Sequence, residues 1–256
     1  MTFQDELEFA KTCAERAGEI MLHYWDADQH IETKGDGTPV TIADKTVNRM
    51  VIEAVAKRFP DDGTVGEEES SAQYGHGRRW ICDPIDGTSA YVAGLPSATF
   101  SLALVVDGRP MVAVAYEPLR KQLFWAVRGQ GSYANERRLH VSTRTFEQGP
   151  VALPPDYIKA KLVNEPFMQK LLAFNKELVL FSGAVYRSCM VASGRIAGFP
   201  HPRVKPYDIA AVHLIVEEAG GKVTATDGSE LDYSTDFRGA VISNGVAHDD
   251  LLKLFS

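Results

Sequence analysis

The sequence predicts an α/β protein, with an antiparallel-rich α+β first half and an α/β second half. Three observations carry this prediction. Residues 98–127 read as a β-meander. Beyond residue 150 or so, short apolar strands alternate with helical segments. Hydrophobic residues make up 45% of the 256 residues and charged residues 24%, so the chain can bury a core that offsets its ordering entropy.

The elements follow in order. Leu7, Ala10, Ala14, Ala17, Ile20 and Met21 recur at helical spacing and predict an amphipathic helix over 4–25. Lys34-Gly35-Asp36-Gly37-Thr38-Pro39 is too rich in Gly and Pro for a regular element. A second helix fits 43–58, with Val47, Met50, Val51, Ala54 and Val55 on one stripe and Pro60 beyond its end. Short strands are predicted at Thr64–Gly66 and Arg79–Cys82. In the meander, Asp107-Gly108-Arg109-Pro110 turns Ala98–Val106 into Met111–Tyr116, and Leu123–Val127 follows. Gly149–Pro155, with three prolines, is the expected boundary between a lobe over 1–148 and a lobe over 149–256, the two forming one catalytic unit. The second lobe reads as strand Val179–Phe181, helix 184–193, strand 195–199, helix 207–219, strand Lys222–Thr224, strand Ala240–Ser243 and helix 247–255.

Composition excludes several function classes. A net charge of −7 disfavours a general nucleic-acid binder, which needs a basic face for the phosphate backbone. The longest apolar runs, such as Leu102–Val106, are far short of the roughly 20 residues a membrane span needs. The acidic start Met1-Thr2-Phe3-Gln4-Asp5-Glu6 predicts neither a secretory signal nor a transit peptide. Cys13, Cys82 and Cys189 fit buried thiols of a reducing cytoplasm better than a disulfide framework or a zinc site.

Candidate chemistry concentrates in four places. Asp83-Pro84-Ile85-Asp86-Gly87-Thr88 follows the apolar Trp80-Ile81-Cys82, so a buried strand delivers Asp83 to the sheet's end. Asp86 is expected one helical turn on, on the same side. Gly87 admits close approach of a ligand, and Thr88 offers a hydroxyl and an amide at a helix start. Two carboxylates beside free amides suit a hard cation and a phosphate together. Gly66-Glu67-Glu68-Glu69-Ser70 repeats the strand-then-acid placement, and Asp208 and Asp44 each open a helix. Each place also has an ordinary reading: turn and cap residues, a solvated charge run, or an acid at the helix dipole. Cys82 is expected to point away from Asp83 into the core. The seven histidines form no metal-ligand spacing and read as surface or structural residues, and Gly129-Gln130-Gly131 reads as a turn.

Taken together, these segments resemble the inositol monophosphatase family of metal-dependent, lithium-sensitive phosphomonoesterases. Pro39-Val40-Thr41 leads to Asp44, then come Gly66-Glu67-Glu68, Trp80 through Thr88, Tyr207-Asp208-Ile209-Ala210-Ala211 and Glu217-Glu218-Ala219-Gly220-Gly221. The resemblance implies a layered αβαβα sandwich, a homodimer, and hydrolysis of a small phosphorylated metabolite by metal-activated water. It implies two or three Mg²⁺ ions. Asp83 would bridge two of them, Glu67 and the Ile85 carbonyl would complete one site, and Asp86 and Asp208 would hold the other. A third ion would sit near Glu67. Thr88, oriented by Asp44, would hold the attacking water, and the Gly87 and Thr88 amides would bind phosphate oxygens.

The substrate side departs from the family. His201 stands seven residues before Asp208, where inositol monophosphatases place an acid, and Tyr207 replaces the usual Trp. Ser182-Gly183-Ala184 resembles the Gly-Thr-Ala stretch of inositol and sugar phosphatases, whereas histidinol-phosphate phosphatases carry Asp at the position of Ala184. The ending Ser243-Asn244-Gly245-Val246-Ala247-His248-Asp249 nonetheless resembles those histidinol enzymes. Arg187, Arg203 and Lys205 read first as solvent-facing charges; the other reading is that they favour a more anionic substrate, such as a 3′,5′-bisphosphate nucleotide. A non-catalytic, partner-binding role is the competing class. Against it, a scaffold has no physical need for a set of clustered carboxylates.

Overall fold

The N-terminal helices bury one face of a large sheet. In the computed structural model, which describes residues 3–75, 77–153, 166–174 and 177–256, α1 (Gln4–Trp25) is followed by a small hairpin of β1 (Glu32–Thr33) and β2 (Pro39–Val40). The loop over Lys34–Pro39 turns this hairpin. α2 (Ile42–Arg58) starts in a reciprocal cap: the Thr41 amide donates to Asp44 Oδ2 at 2.7 Å, and the Asp44 amide donates to the Thr41 hydroxyl.

The large sheet runs in chain order through β3 (Gly63–Gly66), β4 (Arg78–Asp86), a short α3 (Thr88–Val92), β5 (Thr99–Val106), β6 (Arg109–Glu117), β7 (Gln122–Val127), β8 (Ser132–Ala134) and β9 (Arg137–Arg138). Only β3 and β4 pair in parallel. Strand alternation sorts its side chains. Trp80, Cys82, Phe100, Leu102 and Leu104 pack with α1 and α2, while Ile81, Ala103 and Phe124 face the other way. Cys82 therefore points into the core, away from the face that Asp83 shares with Ile81.

The second sheet has the order β11-β10-β12-β14-β13, built from β10 (Val151–Leu153), then, after α4 (Pro166–Phe174), β11 (Leu178–Leu180), then, after α5 (Ala184–Ala192), β12 (Gly198–His201), then, after α6 (Pro206–Glu218), β13 (Lys222–Thr224) and β14 (Ala240–Ser243). α7 (His248–Leu252) ends the described elements. Buried residues of α5 and α6 form one core with the inner faces of both sheets, and α4 and α7 cover the outer face of the smaller sheet with Phe167, Leu171 and Leu251. The stack is a layered αβαβα sandwich. No described helix is long and apolar enough to cross a membrane, and Cys13, Cys82 and Cys189 are buried free thiols.

The structure corrects several sequence expectations. β4 does not stop at Cys82 but runs to Asp86. Asp83 pairs with Ser101 and Asp86 with Thr99, so three steps on β4 oppose two on β5. Pro84 has no N–H for the ladder, and a bulge results. Asp83 and Asp86 are thus not a helical turn apart. In a regular strand residues three apart would face opposite ways; the extra residue of the bulge lets both face the same cavity. Within Gly149–Pro155, residues 151–153 form the middle strand of three parallel ones, and residues 154–155 lie outside the described residues. β12 spans 198–201 instead of 195–199, α7 is shorter than the expected helix over 247–255, and β8, β9 and α4 carried no sequence expectation.

His248 ties the last layer together. It is fully buried, with Nδ1 2.8 Å from Ser243 Oγ and Nε2 3.0 Å from Thr224 Oγ1. Burial, helped by Lys222, lowers its pKa from 6.5 to about 4. Below its ordinary pKa the unfolded chain takes up a proton that the fold resists until about pH 4. The stability present above pH 6.5 is therefore lost as pH falls through this window, by up to about 3 kcal/mol. Denaturant unfolding at pH 7.5, 6.0 and 4.5 checks it: the advantage of wild type over His248→Gln shrinks as pH falls. A pH-independent difference contradicts it.

Candidate active site

A cavity of about 720 Å³ opens where the ends of β3 and β4 meet the starts of α3, α5 and α6. Glu67, Asp83, Asp86 and Asp208 all line it. Carboxylate oxygens of Asp83, Asp86 and Asp208 lie within 4.8 Å of one another.

Each acid is held differently. Asp86 is fixed by the first amides of α5: Ala184 N–H donates to Oδ1 at 2.8 Å and Val185 N–H to Oδ2 at 2.7 Å, with the Thr99 hydroxyl at 3.2 Å. A Cβ on Gly183 would meet Asp86 Oδ2 at 2.8 Å, and Gly183 has φ +92°, so glycine is required there. Asp208 sits in the first turn of α6 and accepts the Lys205 amide at 2.6 Å. Glu67 follows β3 and accepts Lys34 Nζ at 2.8 Å; the same ammonium bonds Glu68. Asp83 is buried, and its Oδ1 has no hydrogen-bond partner.

Asp44 does not line the cavity. It lies behind Thr88, whose hydroxyl is 3.1 Å from both Asp44 Oδ1 and the Ile85 carbonyl. Gly87 turns the chain into α3 with φ +82°, and a Cβ there would come within 3.2 Å of the Gly183 backbone. Gly87, Thr88, Ile85, Ala184 and His201 all line the cavity.

The electrostatics are those of crowded, dehydrated acids. Burial raises the Asp83 carboxyl well above its ordinary range, and the charges of Glu67, Asp86, Asp208 and Asp44 push it further. Burial likewise pushes Asp208 up to about 8, outweighing the Lys205 amide, with Glu67 and Asp86 adding to the rise. Glu67 is raised by burial despite Lys34. A bound cation removes this frustration. The donor set is all oxygen, which suits a hard divalent ion, and the unpartnered Asp83 oxygen offers it a position. The residues present fit a metal.

Sequence reasoning gave no role to Lys34 or Arg238. Lys34 was legible only as part of a loop, since its two partners stand 33 and 34 residues away. It also misplaced Arg187, which is not solvent-facing: it is 3% exposed, bonds the Phe181 carbonyl and lies 4.4 Å over the Phe199 ring. Together with Arg203, Lys205 and Arg238 it lines the cavity.

Residues 4–256 match the model of the inositol monophosphatase family. The chain belongs to that family. It is 31% identical over 252 residues to a fructose-1,6-bisphosphatase/inositol-1-monophosphatase of Thermotoga maritima, covering 98% of this chain and 95% of that one. It is 33% identical to a histidinol-phosphatase of Mycobacterium tuberculosis, covering 97% and 96%. The fold superposes on staphylococcal IMPase-I, solved in complex with products, with a TM-score of 0.89 at 26% identity, covering 99% and 96%. The chain is a metal-dependent phosphomonoester hydrolase of the inositol monophosphatase type.

The crowding has a measurable consequence. Asp83→Asn removes one buried charge, so the metal-free variant is expected to be more stable than metal-free wild type by about 1–3 kcal/mol. If the site takes Mg²⁺, the ion at a hundredfold its dissociation constant is expected to stabilise wild type by about 2.7 kcal/mol and to give no such gain in the variant. Denaturant melts with and without Mg²⁺ check both. An unchanged Mg²⁺-induced gain contradicts a metal-holding Asp83.

Proposed function

We propose that the chain hydrolyses a small phosphate monoester of the inositol- or sugar-phosphate type, with Mg²⁺ as its metal. The unpartnered oxygen of buried Asp83, facing Asp86 and Asp208, carries this reading. Asp83 would serve two ions, Glu67 and the Ile85 carbonyl would complete one site, Asp86 and Asp208 the other, and a third ion would sit near Glu67. When bound, the ions neutralise the phosphate dianion and lower the pKa of a bound water.

The chain's own residues do the rest. Asp44 Oδ2 is committed to the Thr41 amide and hydroxyl, which leaves Oδ1 for the Thr88 proton. With its own proton held there, Thr88 Oγ presents lone pairs to the cavity and accepts a hydrogen bond from the attacking water; as that water's proton moves to Oγ, the Thr88 proton passes to Asp44 Oδ1. The Gly87 and Thr88 amides at the start of α3 bind phosphate oxygens. Asp86, clamped by the α5 amides, keeps its position as charge moves. Ala184 supplies one of those amides, and its small side chain leaves room beside the phosphate. His201 lines the side where the alcohol portion of the substrate sits.

A homodimer is the assembly that goes with this reading. Leu95, Leu119 and Leu180 are exposed, and Arg120 links their surroundings by bonding the Pro96 carbonyl and the Tyr186 hydroxyl. Sedimentation at micromolar concentration is expected to give twice the chain mass; a monomer contradicts it.

Phosphate release is expected to require Mg²⁺ and to be inhibited by Li⁺. Thr88→Ala is expected to lower kcat by about 10²-fold or more while metal binding persists, because only the orientation of the water is lost. Steady-state kinetics beside Mg²⁺ titration checks this. Near-wild-type kcat contradicts the role of Thr88, and metal-independent turnover contradicts the mechanism.

A further inference from the structure

α2 carries two buried polar side chains one turn apart, on the same face. Asp44, in its first turn, holds the Thr88 hydroxyl. Asn48 is 1% exposed and reaches the acid segment that follows β3. We infer that Asn48 is a positioning residue for the reaction: its carboxamide fixes the backbone of Glu68 and Glu69 so that Glu67 faces the metal position. The inference rests on the reading of Glu67 as a metal-holding carboxylate and adds the residue that sets its place.

The geometry calls for a carboxamide. Asn48 Nδ2 donates to the Glu69 carbonyl at 2.8 Å, and Asn48 Oδ1 accepts the Glu68 amide at 3.4 Å. A carbonyl only accepts and an amide N–H only donates, so the two partners fix which end of the side chain faces which. The ladder between β3 and β4 ends with the Glu67 amide, which donates to the Cys82 carbonyl at 3.2 Å. Beyond it, Asn48 takes over as partner of the next two residues. Gly66 makes room for this approach: a Cβ there would meet Asn48 Oδ1 at 2.3 Å and the Glu69 carbonyl oxygen at 2.5 Å. The Ser70 hydroxyl closes the turn by accepting the Gly66 amide at 3.1 Å.

Lys34 holds the same segment by its carboxylates instead, bonding both Glu67 and Glu68. Its ammonium rides on a flexible four-carbon stem and can follow those carboxylates as they move. Asn48 has a short side chain inside a 17-residue helix and cannot. The same helix holds Asp44, so in the proposed reaction α2 spaces Thr88, which meets the attacking water, relative to Glu67, which meets a metal.

The competing reading is an ordinary buried asparagine that satisfies its own polar atoms and steadies a turn. Loss of its bonds would then cost stability alone. In a positioning role it also costs metal affinity, because a displaced Glu67 carboxylate no longer converges with Asp83 on one ion.

The test uses the purified full chain. Calorimetry titrates Mg²⁺ into wild type, Asn48→Leu, Asn48→Ala and Val51→Ala. Asn48→Leu keeps the branched shape and removes both bonds, and Asn48→Ala serves where leucine does not pack. Val51 is fully buried on the same helix and does not line the cavity, so its truncation loosens α2 without freeing the acid segment. The Mg²⁺ dissociation constant is expected to rise about tenfold or more in the Asn48 variants, and by no more than about twofold in Val51→Ala. The Mg²⁺ concentration for half-maximal phosphate release is expected to rise in parallel, with kcat at saturating Mg²⁺ kept within about threefold, unlike Thr88→Ala. Without metal, hydrogen exchange at the Glu68 amide is expected to quicken about tenfold in the Asn48 variants relative to the amides of β5. Unchanged Mg²⁺ affinity in the Asn48 variants, with wild type binding the ion, overturns the inference and leaves the hydrolase reading standing. An equal loss in Val51→Ala overturns it too, since stability alone then accounts for the effect. A wild type that takes up no Mg²⁺, with the Glu68 amide still released in the variants, overturns the metal-holding role of Glu67 and this inference with it.

Discussion

Mutual repulsion among buried carboxylates is the constraint on which this site depends. Four acids share one cavity, and a fifth, Asp44, lies just behind it. Like charges in a dehydrated space raise one another's pKa and weaken the fold around them. The chain offsets this only in part. Asp86 receives two helix amides, Asp208 receives one, and Glu67 receives the Lys34 ammonium. Asp83, raised by burial and by the charges of Glu67, Asp86, Asp208 and Asp44, receives nothing at Oδ1. In the function proposed for the chain, the residual imbalance would be the driving force for cation uptake.

The packing of the layers explains how distant segments converge. β4 lies next to the edge strand β3 of the large sheet, buried along nearly its whole length, and presents Asp83 at its last regular pair and Asp86 just past the bulge. α5 and α6 lie between the two sheets and begin at the same place, so their N-terminal amides and Asp208 arrive together. A bulge, two helix starts and two glycines with positive φ do the positioning. Gly87 and Gly183 approach so closely that a side chain on either would separate the loops.

Much of this was legible in the sequence because local rules were strong there. Asp83 through Thr88 after an apolar strand, and Asp208 in a helix first turn, announced themselves by residue type and spacing. The layer order came from the resemblance, and the alternation of strands and helices in the second half agreed with it. What failed had specific causes. The bulge at Pro84 depends on pairing with Ser101 and Thr99, which the local sequence does not reveal. β10 was hidden because prolines flank it on both sides, and β12 forms over 198–201 instead of 195–199, in a register with β14 that includes Pro200. Lys34 escaped notice because Glu67 stands 33 residues away, and Arg187 because the Phe181 carbonyl and the Phe199 ring, six and twelve residues off and outside its helix, reach it only in the fold.

Burial decides which of these charges matter. Arg109 and Glu230 form an ion pair that is open to water and contributes little. Arg187, at 3% exposure, is little screened by water and acts on Asp86 beside the cavity. The same reasoning separates Glu69, which faces solvent near Arg49, from Glu67, whose carboxylate turns inward to Lys34. Three consecutive acids therefore have different fates according to the direction each side chain takes at the end of β3. A charge run in a sequence has no single meaning. Here Glu67 turns into the cavity and pairs with Lys34, while Glu69 stays in water.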